Sequence, residues 1–115
     1  MVVETAPFIA AAKAAGLSGG EVDRIVDYLA GHPDAGDAIQ GTGGARKLRF
    51  AGRGKGKSGG YRVITFYSGA DLPVFLLTVF AKGERSDLTK AERNALAQLT
   101  KALVDGYRRG AGRLG

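Results

Sequence analysis

The sequence predicts an α+β domain, a small antiparallel sheet packed with helices. Three observations carry this. Residues 45–51, 61–67 and 74–81 are short runs of alternating, aromatic or β-branched residues bounded by glycine or proline. Ser18-Gly19-Gly20-Glu21 and Thr89-Lys90-Ala91-Glu92 both have the spacing of a helix capping box. The order of elements, one short strand, two helices, three strands and one helix, is the α+β pattern. A chain of 115 residues holds one domain and one modest core. The domain is expected over 1–109, with 110–115 a disordered basic tail.

Each element has a local cause. Residues 1–5 are β-branched and short, which suits an edge strand. Residues 7–15 form a helix, with Thr5 or Ala6 near its cap and Gly16 as its stop. Ser18 opens a second helix, whose Val22, Ile25, Val26 and Leu29 recur at helical spacing, and Gly31-His32-Pro33 ends it. The two make a helical hairpin. Residues 31–44 are turn-rich. In 45–51, Arg46, Leu48 and Phe50 share one face and Lys47 and Arg49 the other. Residues 52–60 are a glycine- and lysine-rich hairpin connection. Tyr61 begins the next strand. Pro73 starts the most apolar one, expected to lie inside the sheet. Thr89 and Glu92 open a last helix, with Leu96, Leu99, Leu103 and Tyr107 on one face.

The net charge of +6 is concentrated. Between Asp37 and Asp71 there is no acid, while Arg46, Lys47, Arg49, Arg53, Lys55, Lys57 and Arg62 fall there. The remaining ten cations stand against eleven acids. Such a field suits a polyanion, nucleic acid first; the bland reading is a solvated basic hairpin. With no cysteine there is no disulfide or thiol chemistry. The apolar run at 74–81 is too short to span a bilayer, and the N-terminal stretch carries Glu4 and Lys13 where a signal peptide would be basic and then apolar. A cytoplasmic protein without membrane association is expected.

Ala51 followed by Gly56-Lys57-Ser58 comes within one residue of the phosphate-loop pattern G-x-x-x-x-G-K-S/T. The residues after Ser58 rule this reading out. Gly59 and Gly60 lead into an aromatic, β-branched strand, so no helix N-terminus would hold the phosphates. A metal site is not indicated either. The one histidine, His32, precedes a proline at a helix end, and no cofactor is expected. What remains is a set of cations on adjacent strands: Lys47 and Arg49, Arg62, and Lys82 where the apolar strand ends. Cations on one surface can hold a phosphate and stabilise charge as it is attacked. RNA supplies its own nucleophile, the 2′-OH. A lysine serves as base where neighbouring cations disfavour its ammonium form. Binding of a nucleic-acid backbone without cleavage is the simpler alternative.

The stretches "PDAGDAIQGTGG", "GTGGARKLRF", "GRGKGKSGGYRVITFY" and "FLLTVFAKGERSDLTKAER" together resemble the RelE/HigB-type toxins of bacterial type II toxin–antitoxin modules, and among them the HigB2-like branch. The resemblance runs over about residues 2–107 in matching order. It implies the RelE-like fold and a ribosome-dependent, metal-independent mRNA endonuclease acting in the 30S A site by 2′-OH attack. It also implies a cognate helix-turn-helix antitoxin, the toxin alone being a monomer. Lys47 and Arg49 match the family's basic strand pair, Arg62 the arginine after the S-G-Y-type turn, and Lys82 the lysine closing the last strand. Gly83 and Thr89 stand where RelE proper has an arginine and a tyrosine. Arg62, Arg85 or a loop lysine would then act as acid, and Phe80 or Tyr61 as stacking group. Arg46, Arg53, Lys55 and Lys57 are expected to contact RNA backbone, with Lys57 also lending a cation to the cleavage site. The alternative within the superfamily is a ParE-like protein that inhibits DNA gyrase without cutting; a basic RNA-binding module without catalysis is the third reading.

Overall fold

The computed structural model describes residues 1–51, 60–69, 71–81 and 88–114, the last seven of these in backbone only. In chain order its eight elements are β1 (Val2–Glu4), α1 (Ala6–Ala15), α2 (Gly19–Gly31), β2 (Asp37–Ala38), β3 (Ala45–Phe50), β4 (Tyr61–Phe66), β5 (Val74–Ala81) and α3 (Lys90–Leu114). The strands form one sheet in the order β1-β5-β4-β3-β2. β3, β4 and β5 are an antiparallel meander, and β1 pairs parallel to β5. The fold is α+β with a mixed sheet, consistent with the RelE-like architecture expected.

The helix signals work as their chemistry requires. Ser18 Oγ accepts from the Glu21 amide while the Glu21 carboxylate accepts from the Ser18 amide, at 3.2 and 2.9 Å. Thr89 and Glu92 repeat the box at 3.1 and 2.8 Å. Gly16 closes α1 in the left-handed conformation, φ 79°. Thr5 joins three elements at once. Its hydroxyl donates to the Leu76 carbonyl of β5 at 2.7 Å and accepts from the Phe8 amide of α1, and its own amide donates to Leu76. The end of β1, the cap of α1 and the strand inside the sheet are thereby fixed together.

The helices divide between the two faces of the sheet. On one face, Phe8 and Ala12 of α1 and Ile25 and Leu29 of α2 pack against Tyr61, Val63, Val74, Leu76 and Val79. On the other, Leu88 and Leu96 pack against Ala45, Ile64, Phe66, Phe75, Leu77 and Phe80, with Leu99, Leu103 and Val104 of α3 at the margin. Each fully buried large side chain contributes about 1.5–3 kcal/mol of transfer free energy. Burial on both faces explains why β5 is nearly continuous apolar sequence rather than alternating.

Three features differ from the sequence expectation or add to it. The turn-rich stretch contains β2, two residues that extend the sheet beyond β3. A bulge interrupts the β4–β5 register: Ile64 pairs Thr78, Thr65 pairs Leu76, and Leu77 is the extra residue between them. Helical backbone also runs on past Tyr107 through the basic stretch to Leu114.

The G-T-G-G turn anchors α3 to the sheet. Thr42 is wholly buried; its hydroxyl donates to Ile39 O at 2.6 Å and accepts from the Ala45 amide. Thr100 Oγ1 lies 3.0 Å from Thr42 O and 2.9 Å from Ala97 O. Gly43 sits at φ 74°, and a Cβ there would come within 2.9 Å of Thr100 Oγ1. The turn needs glycine both for its backbone angle and for this close approach.

Candidate nucleic-acid interface

Strand alternation builds the cationic face. Leu48 and Phe50 of β3 pack into the core beneath the helical hairpin, and Ala45 into the core beneath α3. Lys47 and Arg49, in phase with Ala45, therefore lie on the α3 side of the sheet. Arg62 lies on the same side, in phase with the buried Ile64. The register aligns them in two rows. Arg49 pairs Arg62, which pairs Phe80; Lys47 pairs Ile64, which pairs Thr78.

Arg49 is exposed, and Lys47 and Arg62 are half-buried. Directly opposed residues on one sheet face have Cβ atoms about 4.5–5.5 Å apart, and like charges there are destabilising. The Nε of Arg62 is buried and has no hydrogen-bond partner among the described residues. A guanidinium prefers bidentate contact with a phosphate or carboxylate. Two of them on neighbouring strands, in a stretch without acids, form a surface that an oxyanion would relieve.

The remaining site candidates divide by position. Arg46 lies on the opposite face, where its Nη1 donates to Gly36 O at 3.2 Å and braces the turn into β2. Tyr61, too, is on the hairpin side, with 4% of its surface exposed. Burial first, and then the charge of Glu21, raises its phenol above the ordinary tyrosine range. Tyr61, expected as an alternative to Phe80 for stacking an RNA base, is buried on the face opposite Arg62, because consecutive strand residues point to opposite faces. Phe80 is aligned with Arg62 but only 6% exposed, its ring part of the α3-side core. Arg53, Lys55, Lys57, Lys82 and Arg85 lie outside the described residues.

Two placements were not legible in the chain. Thr78 shares the α3 side with Leu77 because of the bulge, and strict alternation would put one of them behind the sheet. Arg24 of α2 donates to Ala51 O at 3.3 Å, at the point where the basic connection leaves β3. A helix pattern alone gives no sign of that contact. His32 is the helix-end residue expected, its ring stacked on Tyr28 with centroids 4.4 Å apart.

A family model described as the RelE toxin of the RelE/RelB toxin–antitoxin system matches residues 4–110. The chain belongs to the RelE toxin family. The match takes in all of the sheet beyond the first residues of β1, including the rows that carry Lys47, Arg49 and Arg62. The protein is thus the toxin of a toxin–antitoxin system, and an antitoxin partner goes with that membership. Toxins of the RelE family are generally endoribonucleases. No helix among the described residues is long and apolar enough to cross a membrane.

Proposed function

We propose that this RelE toxin, of the HigB type by its motifs, is a ribosome-dependent endoribonuclease that cuts mRNA in the A site. The observation that carries the reading is the opposed Arg49–Arg62 pair, with the buried Nε of Arg62 unpartnered among the described residues. In the proposed reaction the 2′-OH of one nucleotide attacks the adjoining phosphorus. The P–O5′ bond breaks, leaving a 2′,3′-cyclic phosphate and a 5′-hydroxyl. Arg49 and Arg62 hold the phosphate oxygens and offset their growing charge. A guanidinium stays protonated throughout, so it cannot take up the proton of the 2′-OH. The two proton transfers fall to lysines: Lys47, in the row next to Arg62, and Lys82, which comes directly after β5 in the chain.

Induced expression should arrest growth and translation, and mapped 5′ ends should fall within codons of translated messages. Intact mRNA during arrest would overturn the proposal. An SOS response with unimpaired translation would instead point to gyrase.

A further inference from the structure

The helical hairpin carries an aromatic row that the proposed cleavage does not use. Arg24, Tyr28 and His32 recur four residues apart, so they share one edge of α2 and its cap. The rings of Tyr28 and His32 stack with centroids 4.4 Å apart and planes 15° apart. Phe50 of β3 stands perpendicular to Tyr28, at 5.6 Å and 89°. Tyr28 nevertheless keeps 42% of its surface exposed. A ring braced by two others and still open to solvent has little freedom left to lose on binding.

Cations stand at both ends of the row. Arg24 Nη2 donates to Ala51 O at 3.3 Å, where the connection carrying Arg53, Lys55 and Lys57 leaves β3. Arg46 is in phase with Phe50 on β3, and its Nη1 donates to Gly36 O, four residues past His32. The neighbouring acids lie elsewhere. Asp23 and Asp27 form their own exposed row about 100° round the helix, and Asp34 follows Pro33 beyond its end.

We infer that this row is a second RNA contact, in which an unpaired base of ribosomal RNA extends the Tyr28–His32 stack and its flanking phosphates meet Arg24 and Arg46. Open aromatic rings set among cations hold single strands without reading their sequence. An acidic peptide would use the cations but not the flat stack. The strand being cut is not the source of the base: in the proposed reaction Arg49 and Arg62 hold it on the α3 side, and the sheet lies between. The inference rests on the ribosome reading, and it gives the toxin a grip on the ribosome separate from its cleavage face.

The chain has no tryptophan, so Tyr28→Trp places a single indole in the row and keeps a flat ring there. Tyr107→Trp places one on the α3 side instead, where Tyr107 is 38% exposed. Both full-length variants, with their fold verified by circular dichroism, are titrated with 30S subunits free of mRNA. Fluorescence of the Tyr28→Trp chain should be quenched and that of the Tyr107→Trp chain should change little. Tyr28→Ala should weaken 30S binding about five-fold or more and leave its salt slope unchanged, because the ring carries no charge. Arg24→Ala should lower that slope by about one unit. Tyr28→Phe should bind like the wild type. His32→Ala, at an exposed position, should weaken binding too, and it serves if Tyr28→Ala does not fold. Equal quenching at both positions, or wild-type affinity in Tyr28→Ala and His32→Ala, would overturn the inference. Quenching only in the presence of mRNA would overturn it as well, since the base would then belong to the message. So would a Tyr28→Ala chain that loses its antitoxin but keeps the 30S subunit. A failed ribosome reading looks different: the wild-type chain itself would neither bind ribosomes nor cut mRNA, and both proposals would fall.

Discussion

Arg49 and Arg62 are direct Cα partners across β3 and β4, on the side of the sheet that α3 packs against. Two cations so placed work against the fold and for an anionic ligand. Arg62→Ala should therefore abolish mRNA cleavage while ribosome binding is largely kept. The same change should leave the free protein as stable or raise its stability by about 0.2–1 kcal/mol. Primer extension on induced cells and urea denaturation of the purified variant measure the two effects. Loss of activity together with a loss of several kcal/mol would make Arg62 a structural residue.

The connection between β3 and β4 carries Arg53, Lys55 and Lys57 between glycines. Replacing Arg53 and Lys55 by alanine should weaken ribosome binding and lower the slope of log affinity against log salt by about one unit per lost phosphate contact. Thermal melting should be unchanged. A variant with wild-type affinity and slope would reduce this stretch to a solvated connection.

The buried phenol of Tyr61 ionises above its ordinary range, held neutral first by burial and then by Glu21. Linkage sets the sign. The folded state favours the neutral phenol, so its contribution is fully present below about pH 10, the unfolded value, and is lost as pH rises through the folded value. Stability should fall in that alkaline window, and Tyr61→Phe should flatten the fall. Equal alkaline losses in both proteins would assign the effect to other groups.

Thr42 and Thr100 should respond unequally to the same mutation. Thr42→Val removes the acceptor of the buried Ala45 amide, and an unpaired buried donor costs about 1–3 kcal/mol. Thr100→Val removes only a donor to carbonyls, a loss of about 0.5–1.5 kcal/mol. Denaturation midpoints of the two variants decide it. Thr100→Val proving the more damaging would show that its hydroxyl, not the turn, holds α3 in place.

Local chemistry was readable in the chain where it acts over a few residues. Both capping boxes, the Thr5 cap and the Gly16 stop are local hydrogen-bond arrangements, and the sequence names them. The shared face of Lys47 and Arg49 comes from period-two alternation. The pairing of Arg49 with Arg62 does not, since register depends on a connection whose length fixes no single alignment. Nor could alternation foresee the bulge that turns Thr78 toward α3. The parallel pairing of β1 with β5, and the placement of α3 on the face opposite the hairpin, are contacts between distant parts of the chain. Tyr61 and Arg62 are neighbours in the chain, and the alternation that turns Arg62 toward the cations turns Tyr61 into the core beneath the hairpin.

The position of β1 has a consequence for the order of events during synthesis. Val2, Val3 and Glu4 leave the ribosome well before their strand partners Val74, Phe75 and Leu76. The helix that packs on the far face begins only at Lys90. The sheet gains this edge only after β5 is made, and its second cover only after α3 is made. A nascent or truncated chain has the cationic strands β3 and β4 without the framework that holds them in register. Maturation is thereby tied to the synthesis of β5 and α3.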